Sequence, residues 1–124
     1  MSAINRTVVI VGASDREDRY SYKALKMLHQ HKFKVIPVHP TLQTIHGISV
    51  KSSLDQIDEP VDTVTIYVGP QRLPPLVPSI KKLSPRKVVF NPGTESPQIE
   101  EELTSQGIEV IEGCTLVMLR SGQF

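Results

Sequence analysis

Tryptophan is absent from the 124-residue chain, aromatic residues make up 5% of it, and there is a single cysteine, Cys114. One cysteine cannot close an internal disulfide, which excludes a disulfide-stapled scaffold and fits a reducing, cytoplasmic setting. Long apolar runs are missing as well. No stretch approaches the roughly 18 residues a membrane helix needs, so no membrane association is expected. The opening MSAINRTVV passes directly into a strand, without the apolar core of a secretory signal. An excess of one charge is also lacking, with 14 basic against 13 acidic side chains and a net charge of +1. That balance gives no electrostatic footing for a nucleic-acid partner. Repeats, low-complexity tracts and linkers are absent too. What remains is one domain's worth of ordinary globular sequence, residues 1–124 with 39% hydrophobic residues, sufficient for one core and at most one site.

Apolar, β-branched runs recur at Thr7–Val11, Phe33–Val38, Thr63–Val68, Lys87–Phe90 and Glu109–Ile111, separated by helical patterns. This alternation predicts βαβ units. Val8-Val9-Ile10-Val11 and Val64-Thr65-Ile66-Tyr67-Val68 are nearly continuous rather than alternating, as in strands buried on both faces. The predicted class is therefore α/β, a Rossmann-like open parallel sheet of about five strands with helices on both faces and the first strand central. The first helix is expected from about Ser21 to His31, with Ser21 as N-cap, Ala24, Leu25 and Leu28 inward, and Lys23, Lys26 and Gln30 outward. It must end before Phe33 without a glycine, so Lys32, or else His31, is expected at positive φ. A short helical piece is expected around Ser53–Ile57. Leu73, Leu76, Val77, Ile80 and Leu83 predict a helix that Pro74, Pro75 and Pro78 make irregular or late in starting. Ser96 and Pro97 open the last predicted helix, Glu100–Glu102 lie near its positive end, and Gly107 follows it.

The first strand runs into VVIVGASDREDRYS: strand, glycine, small residues, helix. Here a doubly wound fold turns backbone N–H groups and a helix N-terminus toward a phosphate. Gly12 lets the backbone approach an anion, Ala13 keeps the turn slim, and Ser14 offers a hydroxyl. Arg16, Arg19 and Lys23 follow and could meet phosphate oxygens, although Asp15, Glu17 and Asp18 are interleaved with them and favour self-pairing on a solvated surface. Three sharper alternatives fail on the same string. A dinucleotide fingerprint would need glycines where Ser14 and Glu17 stand, and the second strand offers no acid for ribose hydroxyls. A Walker loop would need Gly-Lys-Ser/Thr where Arg16-Glu17-Asp18 follows. A hydrolase elbow would need a glycine in place of Arg16.

Pro40, Pro70 and Pro92 each fall just beyond an apolar strand, where a ladder cannot continue. With His39, Gly69, Asn91 and Gly93 they would wall the crevice at the strands' carboxyl ends with rigid, mostly uncharged backbone suited to adenine or a pantetheine arm. No metal site is expected, because His29 and His31 lie two apart on a helix, and His39 and His46 lack further ligands. No catalytic constellation is found.

The ordered set VVIVGAS, KVIPVHP, the Gly47 turn, PVDTVTIYVGP, KVVFNPGTE and GCTLVML, spanning about Ile4 to Leu119, resembles the small CoA-binding-domain family. That family is similar to the N-terminal nucleotide-binding domain of the succinyl-CoA synthetase α subunit. The resemblance implies that Gly12, Ala13 and Ser14 meet the phosphates of coenzyme A. It also implies that Val38 and Pro40 lie near its adenosine end, that Val68, Gly69 and Pro70 border the nucleotide, and that Asn91, Pro92 and Gly93 line the pantetheine side. Two positions depart from the family pattern: Thr41 stands where a lysine often follows the second-strand proline, and Lys32 stands where a glycine often precedes Phe33. The synthetase's phosphorylated histidine belongs to a second domain missing from this chain, so a non-catalytic module for coenzyme A or acyl-CoA is expected. The alternatives are a module for another adenine nucleotide such as NAD, or a scaffold with an unused pocket. No protein partner can be read from the sequence.

Overall fold

The computed structural model describes residues 6–124. Met1–Asn5, including the start of the resemblance at Ile4 and most of the opening segment, lie outside the described residues. In chain order the elements are β1 (Thr7–Val11), α1 (Tyr20–Gln30), β2 (Lys34–Val38), β3 (Thr44–Ile45), β4 (Ile48–Ser49), β5 (Thr63–Ile66), α2 (Val77–Leu83), β6 (Lys87–Phe90), α3 (Pro97–Ser105), β7 (Glu109–Glu112) and α4 (Thr115–Arg120).

Five strands form a parallel sheet in the order β2-β1-β5-β6-β7. The continuous β-branched runs are its interior: Val8, Val9, Ile10, Val64, Ile66, Val88, Val89 and Phe90 are fully buried. Alternate residues of β1 serve opposite cores. Val8 and Ile10 pack with Leu25 and Leu28 of α1 and Leu119 of α4 on one face. Val9 and Val11 pack with Val77 and Ile80 of α2 and Ile99 and Leu103 of α3 on the other. Each such leucine or isoleucine is worth about 1.5–3 kcal/mol of burial, so both helical layers hold the sheet in place. The first strand is interior but not central as expected. The middle strand is β5, and β1 is second from one edge.

The position of β1 sets where a ligand fits. The chain goes from β1 outward to β2 and then returns to the other side of β1 with β5, so the strand order reverses between β1 and β5. A crevice opens at such a reversal, beyond the carboxyl ends of the strands. The two-residue strands β3 and β4, which the sequence reading did not anticipate, pair as a hairpin across His46 (φ 52°) and Gly47 (φ 75°). Two positive φ values in a two-residue loop match the right-handed twist of the flanking strands. Lys51 then pairs with the end of β2, its N–H donating to the Pro37 carbonyl and its own carbonyl accepting the His39 N–H.

Prolines act on the helices as expected. Pro74–Leu76 form a 3₁₀ turn, and α2 begins only at Val77. In α3, Ser96 is the cap residue, yet its hydroxyl makes no capping bond; Glu100 instead accepts the Ser96 N–H at 3.0 Å. Glu102 pairs with Lys81 across the helix layer. The six-residue α4 was not anticipated either. Helix α1 ends as the sequence requires, with Lys32 at φ 72°. The Lys32 N–H donates to the His29 carbonyl and the Phe33 N–H to the Leu28 carbonyl, a Schellman closure sealed by Leu28 and Phe33 in the core. A left-handed residue with a Cβ costs about 1 kcal/mol or more. Lys32→Gly should therefore raise Tm by about 3–5 °C in thermal unfolding, and an unchanged or lower Tm would contradict this account.

At the opposite end from the crevice, Asp62 ties the amino ends of three strands together. Its carboxylate accepts Arg86 Nε at 3.0 Å, Arg6 Nε at 3.3 Å and the Thr63 hydroxyl at 2.7 Å. Burial alone would raise the Asp62 carboxyl, but the hydrogen bonds from Arg86 and Thr63 and the charges of Arg86 and Arg6 hold it below its ordinary 3.8. A depressed carboxyl stabilises the fold above its unfolded value and loses that contribution as pH falls through the folded value. Asp62→Asn should thus lower Tm at pH 7, with the gap from wild type closing as pH drops below about 3.8. A gap independent of pH would show that the charge is not what Asp62 contributes.

Candidate functional site

The crevice at the β1/β5 reversal is a cleft of about 760 Å³. Its floor is set by close contact between strand ends. Gly12 has φ 87°, and a Cβ built on it would lie 2.9 Å from Val68 Cγ1 and 3.1 Å from the Tyr67 carbonyl carbon. Only glycine meets both conditions, so the chain can turn here directly against β5. The Ala13 N–H donates to the Val38 carbonyl at 3.3 Å, which ties the turn to the end of β2. Ala13 is among the residues that line the cleft. It is also buried with Leu25 and Leu28, so a small residue there lets α1 seat close against the turn. Ser14 Oγ accepts the Arg16 N–H at 3.1 Å, leaving its O–H free to donate outward.

Helix α1 starts one residue earlier than expected. Arg19, not Ser21, is its cap residue, and Ser21 sits buried in the first turn. No side chain caps this end and no acid lies in its first turn. Among the described residues, the N–H groups of Ser14, Tyr20, Ser21 and Tyr22 meet no protein acceptor. Ser14, Arg19, Tyr20 and Ser21 all line the cleft. Uncapped N–H groups and the positive pole of an eleven-residue helix therefore open on its interior.

Of the residues singled out from the sequence, Gly12, Ala13, Ser14, Arg16, Arg19, Val38, His39, Pro40, Val68 and Pro92 are brought together around this cleft. Lys23, Gly69, Pro70, Asn91 and Gly93 are not in its lining. The Lys23 ammonium lies over the Tyr20 ring, 5.4 Å from its centroid. Gly69 begins a turn closed by the Arg72 N–H at 3.0 Å, with Pro70 inside it. The Gly93 N–H donates to Glu95. Asn91 is a buried strut: its amide donates to Thr65 Oγ1 at 2.7 Å and to the Ile66 carbonyl at 2.8 Å, and its oxygen accepts the Thr115 N–H at 2.9 Å. It joins β5, β6 and the start of α4 just beneath the crevice.

Several lining residues escaped the sequence reading. Ser52, Ser53 and Asp55 arrive because Lys51 pairs with β2, and Ser79 donates to Asp55 at 2.8 Å. Arg72 enters from the loop after β5. Tyr67 also lines the cleft; burial pushes its phenol up to about 12, so it stays protonated. His39 is held by its Nδ1, which accepts the Thr41 N–H at 3.1 Å and the Leu42 N–H at 3.0 Å. That arrangement puts the ring proton on Nε2. Arg16 pairs with Asp18 at 3.7 Å, both well exposed. Among the described residues no cluster of three or more His, Cys, Asp or Glu side chains is placed to hold a metal ion, and no helix is long and apolar enough to cross a membrane.

Comparison with known proteins agrees with this fold. A solved structure of an uncharacterized protein is 39% identical, superposes with a TM-score of 0.91, and is matched over 96% of this chain and 98% of its own. Uncharacterized protein YneT of Bacillus subtilis is 36% identical over 70 residues, 56% of this chain and 52% of that protein. An ADP-forming acetate–CoA ligase of Methanocaldococcus jannaschii is 30% identical over 63 residues, 51% of this chain but 9% of the ligase. The chain thus matches about half of one curated relative and a small part of the other. The family model described as a CoA binding domain matches residues 6–120, and on that match, with the five-stranded parallel sheet beneath it, the chain belongs to the CoA binding domain family.

Proposed function

We propose that the cleft binds coenzyme A or an acyl-CoA, with the pyrophosphate seated on the Gly12–Ser14 turn and the N-terminus of α1, and that the chain is a non-catalytic binding module. The observation that carries this reading is the uncapped first turn of α1 opening into the cleft beside Gly12. Left without an anion, those N–H groups have water as their only partner; a phosphate satisfies several at once and meets the helix dipole. Val38 and Pro40 on one wall and Pro92 on another supply apolar, stiff surface for the rest of the ligand.

The absence of a catalytic role rests on the same cleft. His39 presents a proton-bearing Nε2 rather than a free lone pair, so it has no basic nitrogen to offer a neighbouring serine. Tyr67 is a neutral phenol. Asp55 is engaged by Ser79. The one lining hydroxyl on a carboxylate, Ser79 on Asp55, is not backed by a third group that orients the base.

A charge placed in the first helical turn separates folding from binding. Tyr20 is the first residue of α1, lines the cleft and is 68% exposed. A carboxylate there favours the helix by about 0.3–1 kcal/mol but repels an incoming phosphate. Tyr20→Glu should therefore keep or raise the Tm of the ligand-free protein while weakening CoA binding about tenfold, roughly 1.4 kcal/mol, in calorimetric titration. Equal CoA affinity in the variant would remove the helix terminus from the site. A wild-type chain that binds NAD but not CoA would replace the ligand class.

A further inference from the structure

The cleft is more cationic than the chain that forms it. The whole sequence carries a net charge of +1, whereas the cleft lining holds three arginines, Arg16, Arg19 and Arg72, against a single carboxylate, Asp55. The arginines fall into two groups. Arg16 and Arg19 belong to the loop between β1 and α1, on the side of the phosphate turn. Arg72 comes from the loop after β5, on the other side of the strand reversal. Among the described residues no carboxylate lies within ion-pairing distance of Arg72, whereas Arg16 already has Asp18.

The base of Arg72 is stiff. Its N–H closes a turn onto the Gly69 carbonyl at 3.0 Å with Pro70 inside the turn, Leu73 next to it is fully buried, and Pro74 and Pro75 follow in a 3₁₀ turn. A charged side chain on so rigid an anchor loses less entropy when it grips a ligand than one on a flexible loop. At the end of β2 no cation lines the cleft, since Lys51, paired there, is not in the lining. The Thr41 N–H is spent on His39 Nδ1, and His39 itself is held as a hydrogen-bond acceptor. An anionic group of the ligand beyond reach of the β1–α1 loop thus has one cationic partner in the lining, Arg72.

We infer that Arg72 is the specificity residue of this cleft, pairing with a second phosphate of the ligand, the ribose phosphate that distinguishes coenzyme A from dephospho-CoA. This rests on the reading of the cleft as a coenzyme A site. Guanidinium is suited to the role, because its planar fork meets two phosphate oxygens at once.

The test is a ligand-by-variant cycle. Dissociation constants for CoA and dephospho-CoA are measured by calorimetry on wild type, Arg72→Gln and Arg72→Lys, with circular dichroism and Tm confirming that each variant folds. Wild type should prefer CoA at least tenfold. Arg72→Gln should lose about tenfold for CoA and less than twofold for dephospho-CoA, erasing the preference, and Arg72→Lys should retain part of it. Equal losses for both ligands would put Arg72 on the pyrophosphate and overturn the inference, as would a wild type that does not discriminate or a CoA affinity untouched by Arg72→Gln. A wild type that binds neither ligand would overturn the coenzyme A reading itself, and the inference with it.

Discussion

The carboxyl end of the sheet is organised by one contact, the backbone of Gly12 lying against Tyr67 and Val68. A Cβ at position 12 would be 2.9 Å from Val68 Cγ1, and the φ of 87° is one that side chains rarely adopt. Moving β1 away to relieve that contact would break the register that pairs Val8–Val11 with Thr63–Ile66. It would also lift the Ala13 methyl out of its seat beneath α1. The position of α1, the direction in which its free N–H groups point, and the width of the crevice all follow from this approach. The glycine is thus first a packing requirement, and the anion-facing geometry is its consequence.

Beneath the cleft the polar groups are sorted by commitment. Asn91, Thr65 and Thr115 are buried and fully engaged with one another; the two threonine hydroxyls are 2.8 Å apart. Such a network stiffens the junction of β5, β6 and α4, and each member would be costly if left alone. Groups that line the cleft are different: the Ser14 hydroxyl, the first turn of α1 and Arg72 keep donors to spare. A rigid, satisfied underlayer beneath a donor-rich surface is what preorganised anion binding requires.

How much of this was legible in the sequence depended on how local the cause was. The continuous runs Thr7–Val11 and Lys87–Phe90 coincide with β1 and β6, because burial on both faces leaves an unbroken apolar signature. The left-handed Lys32 was readable since the helix had to stop before Phe33 and no glycine was at hand. Ser21 misled as an N-cap because hydroxyls usually mark helix starts, whereas this helix begins earlier and leaves its end open toward the cleft. Ala13 and Asn91 were both read as facing a ligand; Ala13 lines the cleft while packing with Leu25 and Leu28, whereas Asn91 is outside the lining and held by buried hydrogen bonds. The short helical piece around Ser53–Ile57 was legible and is a 3₁₀ turn at Leu54–Gln56, but the place of Ser52, Ser53, Asp55 and Arg72 at the cleft was not. The first three depend on Lys51 pairing with β2, a long-range event without local signature, and Arg72 on which side of the reversal its loop emerges.

The central claim is that the turn after β1 and the first turn of α1 hold the ligand's phosphates through backbone N–H groups. Amide proton and nitrogen chemical shifts, followed during titration of the protein with coenzyme A, address it residue by residue. The account predicts that the largest and earliest shifts fall on Ser14, Tyr20, Ser21 and Tyr22, with Val68 moving across the crevice. Saturable shifts confined to residues remote from the cleft, with those amides unmoved, would contradict it.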